Sequence, residues 1–209
     1  NLGTLLQAMG KLAEARPYEI LDAALEEFTS CGFDAARMED IAKRAGLSKA
    51  AIYLYFPSKM AVLEALIETK VGPLAENVQQ IAAMGMGDPK TALRMLATAA
   101  AHRLSDPNLF AIPRLVIGIS GRFPEIAKYY REHVVEKARG ALETLIEAAM
   151  AKGHIRRADT SAVVRAFIGP IFFEAMWTHV LGGETALHEP QKLIEHQFDV
   201  LLSGLEPRA

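Results

Sequence analysis

Between Arg37 and Lys59 the chain sets cations, hydroxyls and one small residue at spacings suited to gripping a nucleic acid. Lys49 can donate to guanine O6 or N7, or to a phosphate oxygen, and Ala50 offers close approach and a methyl contact with thymine. Tyr53 and Tyr55 carry hydroxyls, Ser48 stands where a hydroxyl caps a helix, and Arg37 and Lys59 each lie at a helix start. A backbone N–H at such a start also favours an anion. Other chemistry finds no support. The six histidines, His102, His133, His154, His179, His188 and His196, show no i,i+4 pair and no cysteine partner, so no metal site is expected. The chain has no Gly-rich phosphate loop, no nucleophile elbow and no Ser/His/Asp cluster. No catalytic residue, no enzymatic activity and no cofactor is therefore expected.

Two short helices and a tight turn must position these groups. Ile41, Ala42, Ala45, Leu47 and Ile52 are apolar where such helices would pack on each other. Gly46 falls where the first helix must stop in a left-handed backbone, and Ser48 can accept from the open N–H groups of the second. Together they describe a helix-turn-helix, whose second helix enters the major groove.

The segment Ile20–Ile67 resembles the N-terminal domain of the TetR family of transcriptional regulators. The resemblance is carried by Ala24 and Phe28, Gly32–Phe33, Asp40–Ile41–Ala42, Ala45–Gly46–Leu47–Ser48, the run Ile52–Tyr53–Leu54–Tyr55–Phe56, and Ser58–Lys59. It implies that Tyr53 and Tyr55 meet phosphates on either side of the groove, although packing of their rings on the head is an alternative and both can hold. It also implies that Lys59 contacts a phosphate. Arg37 departs from the pattern, because a Thr or Ser usually precedes this helix. A hydroxyl cap is thus missing, and a longer side chain is left to reach the phosphate.

The 209 residues carry a net charge of −2, so attraction to DNA has to be local. Arg37, Lys43, Arg44, Lys49 and Lys59 oppose only Glu39 and Asp40, a local +3 that leaves −5 for the remainder. The wealth of Ala, Leu, Glu and Ile favours an all-α protein. Cys31, the lone cysteine, excludes an intrachain disulfide, fits a reducing compartment and reads as a half-buried small residue. With no leader pattern and no uncharged apolar run of membrane-spanning length, the chain is expected to be soluble and cytoplasmic.

Three regions are expected: an N-terminal arm or tail over 1–15, a three-helix DNA-binding head over 16–60, and a larger helical effector-binding and dimerisation domain over 61–209. Breaks are expected at Gly72–Pro73, the loop 84–89, Asp106–Pro107, Phe123–Pro124, Gly153 and Gly182–Gly183, with Asp159 and Pro190 opening the last two helices. The helix from Asp159 is apolar nearly all round and needs cover on two sides. In the final helix Ile194, Phe198, Leu201 and Leu205 form a 4-3-4 seam. Phe173 and these four residues are expected to build a homodimer interface, an arrangement the resemblance also implies. A small, largely apolar effector is expected among Met95, His102, Phe110, Arg114, Ile117, Phe167, Phe172 and Trp177. Arg114 would pair with an acidic ligand or with Glu174. The expected function is a homodimeric regulator, most simply a repressor, that binds a near-palindromic operator and is released by the effector. Two alternatives stand beside it: a DNA-binding protein whose body only dimerises, and a helical small-molecule binder that has lost DNA binding.

Overall fold

A computed structural model describes residues 2–104, 107–183 and 190–206; Asp106, His188 and the side chains of residues 1–15 lie outside this description. Among the described residues every regular element is helical. The chain forms two compact units, the first comprising Asn1–Thr69 with Leu115–Tyr129, the second Lys70–Arg114 with Tyr130–Ala209.

In the first unit, α1 (Leu2–Ala35) is broken at Gly32, whose φ of 82° and ψ of 160° leave helical space. A side chain is rarely tolerated at that φ. The break turns Phe33 inward, with its ring 5.2 Å from Phe28 and 5.4 Å from Phe123. Helices α2 (Met38–Arg44), α3 (Lys49–Tyr55) and α4 (Lys59–Leu66) follow. Ile20, Ala24, Phe28, Ile41, Ala42, Ile52, Val62 and Leu63 form the head's core. Gly46 has the expected positive φ, 69°. Cys31, expected to be half-buried, is exposed. The end of α7 (Pro107–Ile119) and α8 (Pro124–Tyr130) complete the unit.

The break expected at Gly72–Pro73 takes the form of a π turn, Ile67–Val71, leading into α5 (Gly72–Met84). Pro73 has no N–H, and its ring would clash with the carbonyl four residues back in an α register. A wider turn just ahead of it removes that conflict. A second π turn, Arg131–Val135, divides the helix expected over 125–152 into α8 and α9 (Glu136–Ala151); nothing in the sequence explains it. The remaining helices are α6 (Pro89–Leu104), α10 (Thr160–His179) and α11 (Pro190–Gly204). Asp159 caps α10, its carboxylate accepting from the Ala162 N–H at 2.7 Å.

The core of the second unit corrects the expected dimer seam. Ile194, Phe198 and Leu205 are buried inside the chain's own core, with Leu201 partly buried at its edge. Phe198 meets Phe167 edge-on at 5.1 Å. A 4-3-4 stripe demands a covering helix, and here the same chain supplies it through α6 and α10. On α10, Val163, Val164 and Phe167 point into this core, whereas Phe172, Phe173, Trp177 and Leu181 are exposed. Phe173, 61% exposed, stacks on Trp177 at 6.3 Å. Among the described residues no single helix is long and apolar enough to cross a membrane.

Candidate nucleic-acid interface and ligand cavity

The sequence orders the reading helix locally. Ser48, extended at φ −74° and ψ 157°, caps α3 by accepting from the Ala51 N–H at 3.2 Å. Ile52 is the buried anchor of α3, leaving Lys49, Ala50, Tyr53 and Tyr55 exposed on its other faces. Leu54, which sequence reasoning passed over, is 86% exposed between the two tyrosines. The signal for it was available: with Ile52 buried, a residue two positions on lies nearly opposite on a helix. Arg37 precedes α2 in extended backbone and makes no side-chain cap, as its lack of a hydroxyl acceptor requires.

Three of the five cations between Arg37 and Lys59 are already engaged. The Lys49 ammonium pairs with the Glu39 carboxylate across the turn between α2 and α3. That pairing holds Glu39 below the usual carboxylate range and pushes Lys49 up. Arg44 binds Glu27 at 2.8 Å and Glu26 at 3.3 Å, tying α2 to α1. The Arg44 guanidinium, followed by the Cys31 thiol, lowers Glu27. In the free chain the Lys59 side chain is engaged within the head. Its Nζ donates to the Phe33 carbonyl at 2.6 Å and the Asp34 carbonyl at 3.1 Å, and lies 4.8 Å from the Phe33 ring centre. These carbonyls end α1, where a cation completes the open acceptors. What remains for an anion there is the N-terminus of α4, where Ser58 accepts from the Ala61 N–H. Arg37 and Lys43 are exposed, and their side chains make no hydrogen bond or ion pair among the described residues.

The second unit holds an open-mouthed cavity of about 300 Å³. Its wall is drawn from both π turns, the end of α8, α5, α6, α7 and α10, and is mostly aliphatic and aromatic. Of the eight expected ligand residues, Phe110 and Phe172 line it, their rings 5.9 Å apart edge to face. The other six are elsewhere. Phe167 is spent on the core beside Phe198, Ile117 belongs to the first unit, and Met95, His102 and Trp177 are exposed away from the wall. Arg114 is also exposed and donates to the His179 carbonyl at 3.4 Å rather than to Glu174. Glu174 is buried with its Oε1 unpartnered. Sequence reasoning missed Val71, Asn77, Tyr130 and Ile168 as wall residues. Apolar helical spacing marks the inside of a bundle but not which inward residues face a void.

The profile of the family described as bacterial regulatory proteins, tetR family, matches residues 20–66. The profile of the AefR-like transcriptional repressor C-terminal domain matches residues 91–202. The fatty acid metabolism regulator protein of Bacillus subtilis (strain 168) is 24% identical over 191 residues, 90% of this chain and 94% of that protein. The structure of the flavonoid-responsive regulator FrrA is 28% identical, with a TM-score of 0.66 over 94% of this chain and 100% of that one. The transcriptional regulator FadR from Bacillus subtilis, solved in complex with stearoyl-CoA, has the same fold at 20% identity, with a TM-score of 0.67 over 90% and 99% of the two chains.

Proposed function

Because the chain belongs to the TetR family of DNA-binding transcriptional regulators, we infer that it is a homodimeric repressor released from its operator by a small, largely apolar molecule held in the second unit. The apolar cavity carries this reading. A body serving only for dimerisation would gain stability by filling that space, and relatives named for fatty-acid metabolism and for flavonoid response support an apolar effector. The stearoyl-CoA complex of a protein of the same fold points the same way.

Reading falls to α3. Its capped N-terminus presents Lys49 and Ala50 to base edges, while Tyr53, Tyr55, Arg37 and the α4 N-terminus hold phosphates. The exposed α10 face around Phe173 and Trp177 meets the same face of a second copy, as a two-fold interface requires. Two heads then address half-sites about 34–36 Å apart. The effector acts by binding the DNA-incompetent conformation more tightly, with a coupling of about 1–3 kcal/mol. Acting on chromosomal DNA, the protein works in the cytoplasm.

Selection of random-sequence DNA on the purified protein should recover an inverted repeat. An organic extract of the producing cells should dissociate that complex. Ala175 lines the cavity, and Ala175→Phe, whose ring fills it, should hold its DNA in the same extract. Recovery of no repeat defeats the operator half, and an extract that releases the variant as readily as the parent defeats the cavity half.

A further inference from the structure

Among the described residues the cavity wall is polar at three places: Asn77 on α5, Tyr130 at the entry to the second π turn, and His179 at the end of α10. None of the lining residues among those described is an Arg, Lys, Asp or Glu. Arg114, next in sequence to the lining residue Pro113, is exposed and turned to the His179 carbonyl. Neither the Asn77 amide nor the Tyr130 hydroxyl makes a hydrogen bond among the described residues. Burial pushes the Tyr130 phenol up to about 12, so at neutral pH it keeps its proton and can donate. Polar groups facing an apolar space without partners are the features that fix a ligand's orientation. A charged head group would lose its hydration here and find no counter-charge on the described wall.

We propose that the cavity takes an uncharged, chiefly apolar molecule with one hydroxyl or carbonyl oxygen, which exchanges hydrogen bonds with the Tyr130 hydroxyl and the Asn77 amide. This rests on the reading of the cavity as the effector site. It replaces the acidic ligand that Arg114 suggested in the sequence. At roughly 30 Å³ for each water-sized group, the volume of about 300 Å³ suits a chain of about ten carbons with its polar end.

Calorimetric titration of the full chain at pH 7.5 with 1-decanol, decanoate and decylammonium tests the assignment. Decanol should bind at least about tenfold more tightly than either ion, the worth of roughly one well-made hydrogen bond or avoided buried charge. Tyr130→Phe should weaken decanol about tenfold, and adding Asn77→Leu should weaken it further. The ligand-free unfolding midpoint of both variants should stay level or rise, because an unpaired polar group leaves the wall. A purely structural Tyr130 would give the reverse pattern, a lower midpoint and unchanged affinity. Equal or tighter binding of an ion, binding of none of the three, or unaltered decanol affinity in the variants overturns the proposal. If decanoate binds and dissociates the selected operator complex, only the neutral-ligand assignment falls. If decanol binds and leaves that complex intact, the neutral-ligand assignment stands and the release mechanism falls.

Discussion

Lys59 stands at the start of α4, where the sequence suggests a phosphate contact, yet its ammonium closes two carbonyls at the end of α1. Removing it leaves the part-buried Phe33 carbonyl without a donor, which costs about 1–3 kcal/mol. Lys59→Ala should therefore lower the denaturant midpoint of the free protein, whereas Lys49→Ala should leave that midpoint alone and reduce operator affinity. An unchanged midpoint in Lys59→Ala, followed by far-UV circular dichroism in urea, would return the side chain to the DNA. Glu27 gives the residue scale a pH signature. Arg44 depresses its folded-state pKa below the ordinary 4.5, so the tie between α1 and α2 stabilises the head above that value. The contribution disappears as pH falls through the depressed folded value. Glu27→Gln should lower the thermal midpoint at pH 7, and its gap to the parent should narrow as pH falls from 7 through 4.5 and below. A constant gap between the two across that range would show that Arg44 does not hold this carboxylate.

Whole helices raise the question of which chain covers which face. Phe198 on α11 is buried beside Phe167, while Phe173 on α10 faces outward. Phe198→Ala should cost about 3–5 kcal/mol of stability and leave the association constant unchanged for whatever protein stays folded. Phe173→Asp should dissociate the dimer in sedimentation equilibrium at little cost to the protomer fold. Weakened association in the first variant, or none in the second, would move the interface from α10 to α11. These two helices also show how far sequence reaches. The caps at Ser48 and Asp159, the stop at Gly46 and the exposed groups of α3 were legible, because each depends on a residue and its immediate neighbours. Ownership of the α11 seam was not, since a stripe of apolar residues states that a helix lies over it but not from which copy. Phe167 and Phe172 illustrate the same gap in the cavity. Both are apolar and on one helix, and only the shape of the packed bundle sends one to the core and the other to the void. Pro73 announced an interruption without disclosing that it would be met by a π turn ahead of it.

At the scale of the whole molecule, charge decides how DNA is held. The net charge of −2 gives no general attraction to a polyanion, and pairing consumes most of the head's local excess. Lys49 is matched by Glu39, Arg44 by Glu26 and Glu27, and Lys59 by backbone carbonyls. Arg37 and Lys43 remain for phosphates, about two ionic contacts per head, with tyrosine hydroxyls and backbone N–H groups supplying uncharged ones. Each neutralised phosphate contributes about −0.9 to the slope of log affinity against log salt, so a dimer should show a slope of about −4, shallow for an operator-binding protein. If Lys49 reads bases as proposed, Glu39 would act as a brake on indiscriminate binding, because Lys49 must exchange a carboxylate for DNA and recovers most where a guanine edge is offered. Glu39→Gln releases that lysine in both heads. The slope should steepen by about 2, affinity for random DNA should rise, and the ratio of specific to non-specific affinity should fall. Fluorescence anisotropy between about 50 and 200 mM salt reads all three on one labelled operator and one scrambled duplex. A parent slope near −10 would mean that the paired cations leave their partners for the phosphates, and the head would then be reading DNA chiefly by charge.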